Sequence, residues 1–278
     1  MVSKIRKRIQ SIHRDTDGFL GHIFTRSSYI RMTSGKHTKV LTPENFDGFT
    51  YSKLTHFQNF RMMPIYQKQT TATCDLKVYQ DLFVHTFILE NIPKGARILE
   101  LGGGNSRIIS CLKDDYEFWN LDKLEGQGHG PKGVAESEGF TLIRDYIGAF
   151  SKELPEHSFD FVYSISAMEH FSTDEKAMTD IFQDIDRLLK AQAYCLHCVD
   201  ALIFEDHLWV HPIINLLTSE INGVMVETDF EKITSDNDLW TLPKYAYYTR
   251  WYPLTRKRLS EFGRPFSVNL LWKTSTEC

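Results

Sequence analysis

The stretch Ile98-Leu99-Glu100-Leu101-Gly102-Gly103-Gly104-Asn105-Ser106-Arg107 holds the residues best suited to chemistry in this chain. It reads as a buried strand, an acid and a glycine hairpin turning into a helix. Such a junction lets a ligand lie against bare backbone at a helix start, which points to a nucleotide-type cofactor. A dinucleotide site wants another glycine three residues after Gly104, so that helix and strand pack closely. Arg107 stands there, and that fingerprint is broken. Acids close two later apolar runs, at Asp122 and Asp145. The run Phe159-Asp160-Phe161-Val162-Tyr163-Ser164 leads to Met168-Glu169-His170-Phe171, and His197 to Asp200 close another. Carboxylates accept hydrogen bonds from hydroxyls and amines, and imidazoles exchange protons near neutrality.

Alternating strands and helices would bring these residues together. Leu76, Tyr79, Leu82, Phe83 and Phe87 recur at helical spacing, predicting an amphipathic helix from Cys74 to Ile92 that Pro93-Lys94-Gly95 stops. Strands are expected at Arg97–Leu101, Glu117–Leu121, Thr141–Arg144, Phe159–Ile165, Ala193–Val199 and Phe266–Trp272. Helices are expected at Asn105–Leu112, Thr173–Lys190 and near Asp206–Leu217, with a glycine-rich loop at Gly126–Gly133. Units of this length imply a mostly parallel sheet covered on both faces, with ligands beyond the carboxyl ends of its strands. That rule singles out Glu100, Asp122, Asp145, the Ser164–His170 segment and His197 to Asp200. Residues 1–73 lack strong periodicity and read as an extension or lid ahead of a domain at 74–278.

With 278 residues, 42% hydrophobic and 24% charged, the chain can bury the core of a large α/β domain. A net charge of −4 argues against a dedicated nucleic-acid binder. The charge is uneven: Lys4, Arg6, Lys7, Arg8 and Arg14 interleave with Val2, Ile5, Ile9 and Ile12 as a basic amphipathic segment. It fits a surface helix docked on its own domain, or one touching a partner or membrane surface. No apolar run is long enough to span a bilayer, and no signal peptide is visible. Five cysteines, an odd count in a long chain, suggest reduced thiols and a cytoplasmic setting. Cys195 and Cys198 form a lone CxxC inside a strand-like run, without the second half that a zinc site needs.

The order of glycine loop, acid after the second strand, acid after the third and then "FDFVYSISAMEHF" resembles the class I S-adenosylmethionine-dependent methyltransferases of the small-molecule type, over about residues 75–200. The resemblance implies an α/β, Rossmann-like fold: a seven-stranded, mostly parallel sheet with helices on both faces, the last strand antiparallel, and an N-terminal helical or irregular extension. It implies S-adenosylmethionine as cofactor. Gly102, Gly103, Gly104 and Asn105 would bring backbone close to it, and Glu100 would hold the loop or approach the methionine end. Asp122, beside Lys123, would accept hydrogen bonds from both ribose hydroxyls. Asp145 and Tyr146 would meet the adenine edge, and Ser164 the methionine moiety. Ser106 departs from the pattern, since many members have a glycine there.

The same resemblance implies a small-molecule acceptor, methylated on a hydroxyl oxygen of a sugar, natural product or anionic metabolite. A small amine is the alternative within the class. His170 is the candidate base, although the Glu-His pair of this motif also serves structural hydrogen bonding. Glu169, His197, His207, Tyr248 and Arg250 are candidate acceptor contacts. His197, Asp200, Glu205, Asp206, His207 and His211 could hold a divalent cation, but their spacing fits no set pattern and no metal is assigned. Ser164-Ile165-Ser166-Ala167 stands where methylases of DNA bases or protein glutamine carry Asp/Asn-Pro-Pro-Tyr/Phe, which disfavours that branch. Lys244 to Arg258 interleaves aromatics with cations; it would suit an anionic substrate, or simply form the last antiparallel strands. Rival classes are a nicotinamide oxidoreductase, for which no well-placed Tyr-x-x-x-Lys is found, and a catalytically silent binding module. Neither nucleic acid nor a membrane span is expected, and homo-oligomerisation is left open.

Overall fold

The computed structural model describes residues 49–126, 130–133, 139–214 and 230–274. The basic segment at 1–14, the middle of the Gly126–Gly133 loop and the end of the helix expected near Asp206–Leu217 lie outside them.

Five strands form the parallel centre of the sheet: β2 (Arg97–Leu101), β3 (Glu117–Leu121), β4 (Thr141–Ile143), β5 (Phe159–Ile165) and β6 (Leu189–Ile203). With β1 (Phe49–Tyr51), β7 (Leu208–Trp209) and β8 (Arg264–Lys273), the order is β1-β8-β6-β5-β2-β3-β4, with β7 paired to β6. β8 runs antiparallel to β6, and β1 antiparallel to β8. This is the mostly parallel, Rossmann-like sheet expected, with eight strands where seven were implied, because Phe49–Tyr51 and the short β7 join the six segments read from the sequence.

Side chains alternate across the strands and sort into two cores. Ile98, Phe161, Tyr163, Leu196 and Cys198 join one core, beneath helices α1 (Leu76–Asn91) and α2 (Arg107–Leu112). Leu99, Val162, Cys195 and Val199 join the other, beneath α3 (Glu175–Leu188). Cys195 and Cys198 therefore face opposite sides of the sheet as free thiols, and the CxxC spacing makes no pair. α3 has the expected apolar stripe, with Ile181, Ile185 and Leu188 buried, and Asp174 caps it by accepting from the Ala177 amide at 3.0 Å.

α1 is not amphipathic in the expected sense. Its polar residues Gln80, Asp81, His85 and Thr86 are buried as well as its apolar ones. The segment after β1 folds over its outer face: Phe57 and Phe60 pack on Tyr79, and Trp240 stacks on Tyr79 at 5.1 Å. Arg61 supplies a backbone amide to Thr86 Oγ1 at 2.8 Å and a carbonyl to His85 Nδ1 at 2.9 Å. Burial of a polar helix face holds because these groups find partners there.

Three local expectations change. β6 extends to Ile203, beyond Val199, because ten residues of β8 pair with Tyr194 to Ile203. Glu205 and Asp206 then reverse the chain, the Phe204 amide bonds the His207 carbonyl at 2.9 Å, and Leu208–Trp209 returns as a strand where a helix was expected. Lys244 to Thr255 is helical, with a π-turn at Tyr247–Trp251, and contributes no strand. Pro243 starts it in extended conformation, and Trp251 Nε1 anchors it to Asp75 at 3.0 Å. Among the described residues, no helix is long and apolar enough to cross a membrane.

Candidate active site

Gly102 and Gly104 turn the chain out of β2 with φ of +66° and +52°, conformations that side chains rarely adopt. A Cβ on Gly103 would lie 2.6 Å from Glu100 Cδ, so the loop rests directly on that buried acid. Glu100 thus sits under the loop, where Tyr163 donates to it at 2.7 Å and burial pushes its pKa up to about 7. Ser106 ends the turn as the N-cap of α2, accepting from the Ile109 amide at 3.1 Å.

β3 fixes the loop from the side. Asn120 accepts from the Gly103 amide at 3.2 Å and donates to the Gly104 carbonyl at 3.0 Å. Asp122 accepts from the Gly104 amide at 2.8 Å and, through its other oxygen, from the Leu124 amide at 2.6 Å. Each carboxylate oxygen keeps a further lone pair for a ligand. Arg107 grips Asp81 of α1 with two nitrogens, and Tyr66 donates to the same carboxylate. The residue that broke the glycine fingerprint therefore ties the loop's helix to α1 and to the segment covering it.

A cavity of about 650 Å³ opens over the carboxyl ends of β2 to β5. Of the residues singled out in the sequence, Gly102, Gly103, Gly104, Asp122, Lys123, Asp145, Tyr146 and His170 line it. Tyr146 donates to Glu125 at 2.6 Å, and the Lys123 ammonium lies 5.2 Å from its ring centre. Asp145 accepts from the Tyr146 amide at 2.9 Å. Across the cavity, the chain leaves β5 through Ser166 and the turn Met168–His170, which sets His170 exposed on the wall.

The other candidates do not line the cavity. Glu100 lies beneath the loop, and Asn105 is exposed beside it. Ser164 and His197 are buried partners at 2.7 Å in adjacent strands, and Cys195 Sγ lies 3.1 Å from the same imidazole. His197 was expected at a strand end; the longer β6 places it mid-strand, where burial lowers its pKa to about 3. His207 is exposed at the β6–β7 turn, bonded to Asp206 at 2.7 Å. Tyr248 and Arg250 belong to the helical stretch, with Arg250 3.3 Å from Asp75. Glu169 is packed behind the wall with both carboxylate oxygens buried. His197, Asp200, Glu205, Asp206, His207 and His211 do not converge, and no group of three or more potential metal ligands occurs among the described residues. Lys77 and Asn120 carry no motif and were not singled out: Lys77 lines the cavity, and Asn120 holds the glycine loop from β3, while Ser166, within the Ser164–His170 segment, lines the cavity as well.

A bare-backbone turn, a strand-end carboxylate and an acid–tyrosine pair around one cavity define a nucleoside-cofactor site in a parallel α/β sheet. Residues 99–197 match the family model described as a methyltransferase domain. A comparison with curated protein sequences gives no significant match. Among solved structures, the chain is similar to a protein described as a sarcosine dimethylglycine methyltransferase from Galdieria sulphuraria, at 13% identity over 71% of this chain and 88% of that one, TM-score 0.43. It is similar to phosphoethanolamine N-methyltransferase 2 from Haemonchus contortus at 14% identity, over 69% of this chain and 52% of that one, TM-score 0.43. It is also similar to 1,6-didemethyltoxoflavin-N1-methyltransferase from Burkholderia thailandensis at 12% identity, over 69% and 76%, TM-score 0.39.

The residues present fit S-adenosylmethionine. Asp122 offers a carboxylate to a diol, Tyr146 an aromatic face 47% exposed, and Asp145 an acceptor for an exocyclic amine. The glycine backbone offers close approach.

Proposed function

We propose that the protein methylates a small molecule on a hydroxyl oxygen, with His170 receiving the hydroxyl proton. S-adenosylmethionine, when bound, supplies a methyl group already activated on a sulfonium. The work left to the protein is alignment, and proton transfer where the nucleophile is a hydroxyl. The observation that carries the reading is His170, an exposed imidazole lining the same cavity as the glycine loop. In this reading Asp122 takes the ribose hydroxyls, Asp145 and Tyr146 take the adenine, and the glycine turn leaves room for the amino-acid end. Domain boundaries belong to the same proposal, with 74–278 as the catalytic unit and 1–73 as an extension or lid, whose described part supplies β1 to the sheet.

An anionic acceptor gains little support. Asp122, Glu125, Asp145 and Asp180 line the cavity against Lys77 and Lys123, and the basic tract at Lys244 to Arg258 is not among its lining residues. Methylation of an amine nitrogen is a second reading, supported by the buried acids Glu169 and Asp200 behind the wall. Free thiols at Cys74, Cys111, Cys195 and Cys198 support a reducing, cytoplasmic setting.

The test is incubation with methyl-labelled S-adenosylmethionine and a library of small alcohols and amines, with products read by mass spectrometry and NMR. Labelled methyl ethers support the hydroxyl reading. Labelled methylamines alone overturn it in favour of the second, and absence of any labelled product overturns both.

A further inference from the structure

The stretch from Lys244 to Arg264 carries a charge that the cavity does not use. It holds Lys244, Arg250, Arg256, Lys257, Arg258 and Arg264 against a single acid, Glu261, in a chain whose net charge is −4. None of these residues lines the cavity. Arg250 is engaged with Asp75 at 3.3 Å, and the Glu261 carboxylate accepts from the Arg258 amide at 3.0 Å. Lys244, Arg256 and Lys257 are exposed, and among the described residues they form no ion pair.

The apolar side chains of the same stretch divide in two. Ala246 and Tyr247 are buried, and Trp251 packs edge-on to Phe262 at 5.8 Å. The Tyr247 hydroxyl donates to the Lys257 carbonyl at 2.9 Å, which fixes the turn carrying Arg256 to Arg258. These contacts hold the stretch to the domain. Tyr245, Tyr252, Pro253 and Leu254 are exposed instead, Leu254 at 59%. One exposed apolar side chain is ordinary, but here four stand among five cations within the fifteen residues from Lys244 to Arg258.

The sheet decides where this surface lies. Arg264 pairs with Ile203, the last residue of β6, so the stretch ends at the carboxyl ends of the parallel strands, where the cavity opens. Arg250 and Trp251 hold Asp75, two positions before Lys77 of the cavity wall.

We infer that the outward side of Lys244–Arg258 docks the protein on an anionic lipid bilayer and brings the cavity end of the sheet toward it. Lysine and arginine meet the headgroup charge while their stems lie along the apolar boundary. Tyrosine rings sit at headgroup level, and Leu254 with Pro253 enters the edge of the acyl region. A nucleic acid would also satisfy the cations and tyrosines. An exposed leucine gains nothing from a phosphate backbone, however, and a bilayer surface complements both halves of the patch. The inference does not depend on the methyl-transfer reading, since none of its residues lines the cavity.

The test is flotation of the full chain with vesicles of phosphatidylcholine alone and of an equal mixture with phosphatidylglycerol, at low and high salt. Partition onto the mixed vesicles is expected to exceed that onto the neutral ones and to fall as salt rises. Each cation near such a surface is worth about fivefold, so Lys244→Gln, Arg256→Gln and Lys257→Gln together should weaken binding roughly a hundredfold. Leu254→Ser should weaken it by about fivefold or more. Equal partition onto both vesicle types, or none onto either, overturns the inference with the unaltered protein alone. Undiminished binding by the triple variant overturns it too, by placing the contact elsewhere in the chain. Undiminished binding by Leu254→Ser does the same, because a purely electrostatic surface fits any polyanion. Binding of a single-stranded oligonucleotide that the triple variant loses, with no vesicle binding, replaces the bilayer by a nucleic acid.

Discussion

Asp122→Asn probes the centre of the cofactor assignment, and its effect can be worked out from the contacts of the native carboxylate. The two oxygens accept from the amides of Gly104 and Leu124 at 2.8 and 2.6 Å. Asparagine keeps one oxygen, so its NH₂ must face one of those N–H groups, leaving a donor unpaired at about 1–3 kcal/mol. Toward the ligand, a ribose diol loses at least one hydrogen bond to a charged acceptor, worth about 1.5–3 kcal/mol. The unpaired amide is a cost to folding in both the free and the bound protein, so the Kd changes by the ligand part alone, about 1.5–3 kcal/mol or roughly tenfold to a hundred-and-fiftyfold. Isothermal titration calorimetry with S-adenosylhomocysteine measures it, with a melting curve to confirm folding. A deoxyribose analogue separates the terms: if Asp122 meets the diol, the variant harms analogue binding less than binding of the parent compound. A Kd within about threefold of the native value would refute the reasoning, as would an equal loss for both ligands.

His170→Ala should lower turnover by about 10²–10⁴ while leaving S-adenosylhomocysteine affinity unchanged, if proton transfer to that imidazole limits the reaction; undiminished turnover in steady-state kinetics removes it as base. Asp81→Ala leaves Arg107 without its bidentate partner. Denaturant unfolding should show a loss below the about 3–5 kcal/mol of a fully buried pair, because the Arg107 side chain is 38% exposed. Glu100→Gln should change the pH dependence of stability. Glu100 titrates at about 7 in the folded chain against an ordinary 4.5, so the folded state keeps a proton that the unfolded state releases, and stability falls as pH rises through that window. The variant lacks this loss, and its advantage in urea unfolding should grow from pH 5 to pH 8 toward about 3 kcal/mol; a constant difference counts against it. On the acid side the slope reverses. Buried His56 and His197 resist protonation down to about 3, so their contribution falls away as pH drops below the ordinary imidazole value of 6.5.

Much of this site was legible because its determinants are local. An apolar run closed by an acid marks the end of a parallel strand, and Asp122 and Asp145 both stand on the cavity wall for that reason. Where the reading failed, a distant partner decided. Nothing near Val199 says that β6 continues; the ten-residue pairing with β8 does, and it carries His197 from an expected strand end into the middle of the sheet. The aromatic tract after Pro243 has strand-like composition, yet it coils because Trp251 and Arg250 reach Asp75, more than 170 positions earlier. Gln80 belongs to no pattern, and Ser166 is only one position of the segment after β5. They come together because the turn after β5 and the middle of α1 meet beside Asp200.

The pairing of β1 with β8 also dictates how the chain must be completed. Phe49, Thr50 and Tyr51 find their hydrogen-bond partners in Leu270, Asn269 and Val268, more than 200 positions later. Synthesis proceeds from the N-terminus, so β1 leaves the ribosome long before its partner strand exists. The segment covering α1 also waits for Trp240, which packs on Phe57 and Tyr79. Contacts of such separation close slowly, because the entropy of a long loop is lost before they form. The central strands can associate as they emerge, but the N-terminal edge is zipped shut last. A nascent or truncated chain ending before β8 would therefore present a half-open sheet and an uncovered α1, the surfaces that chaperones and proteases recognise.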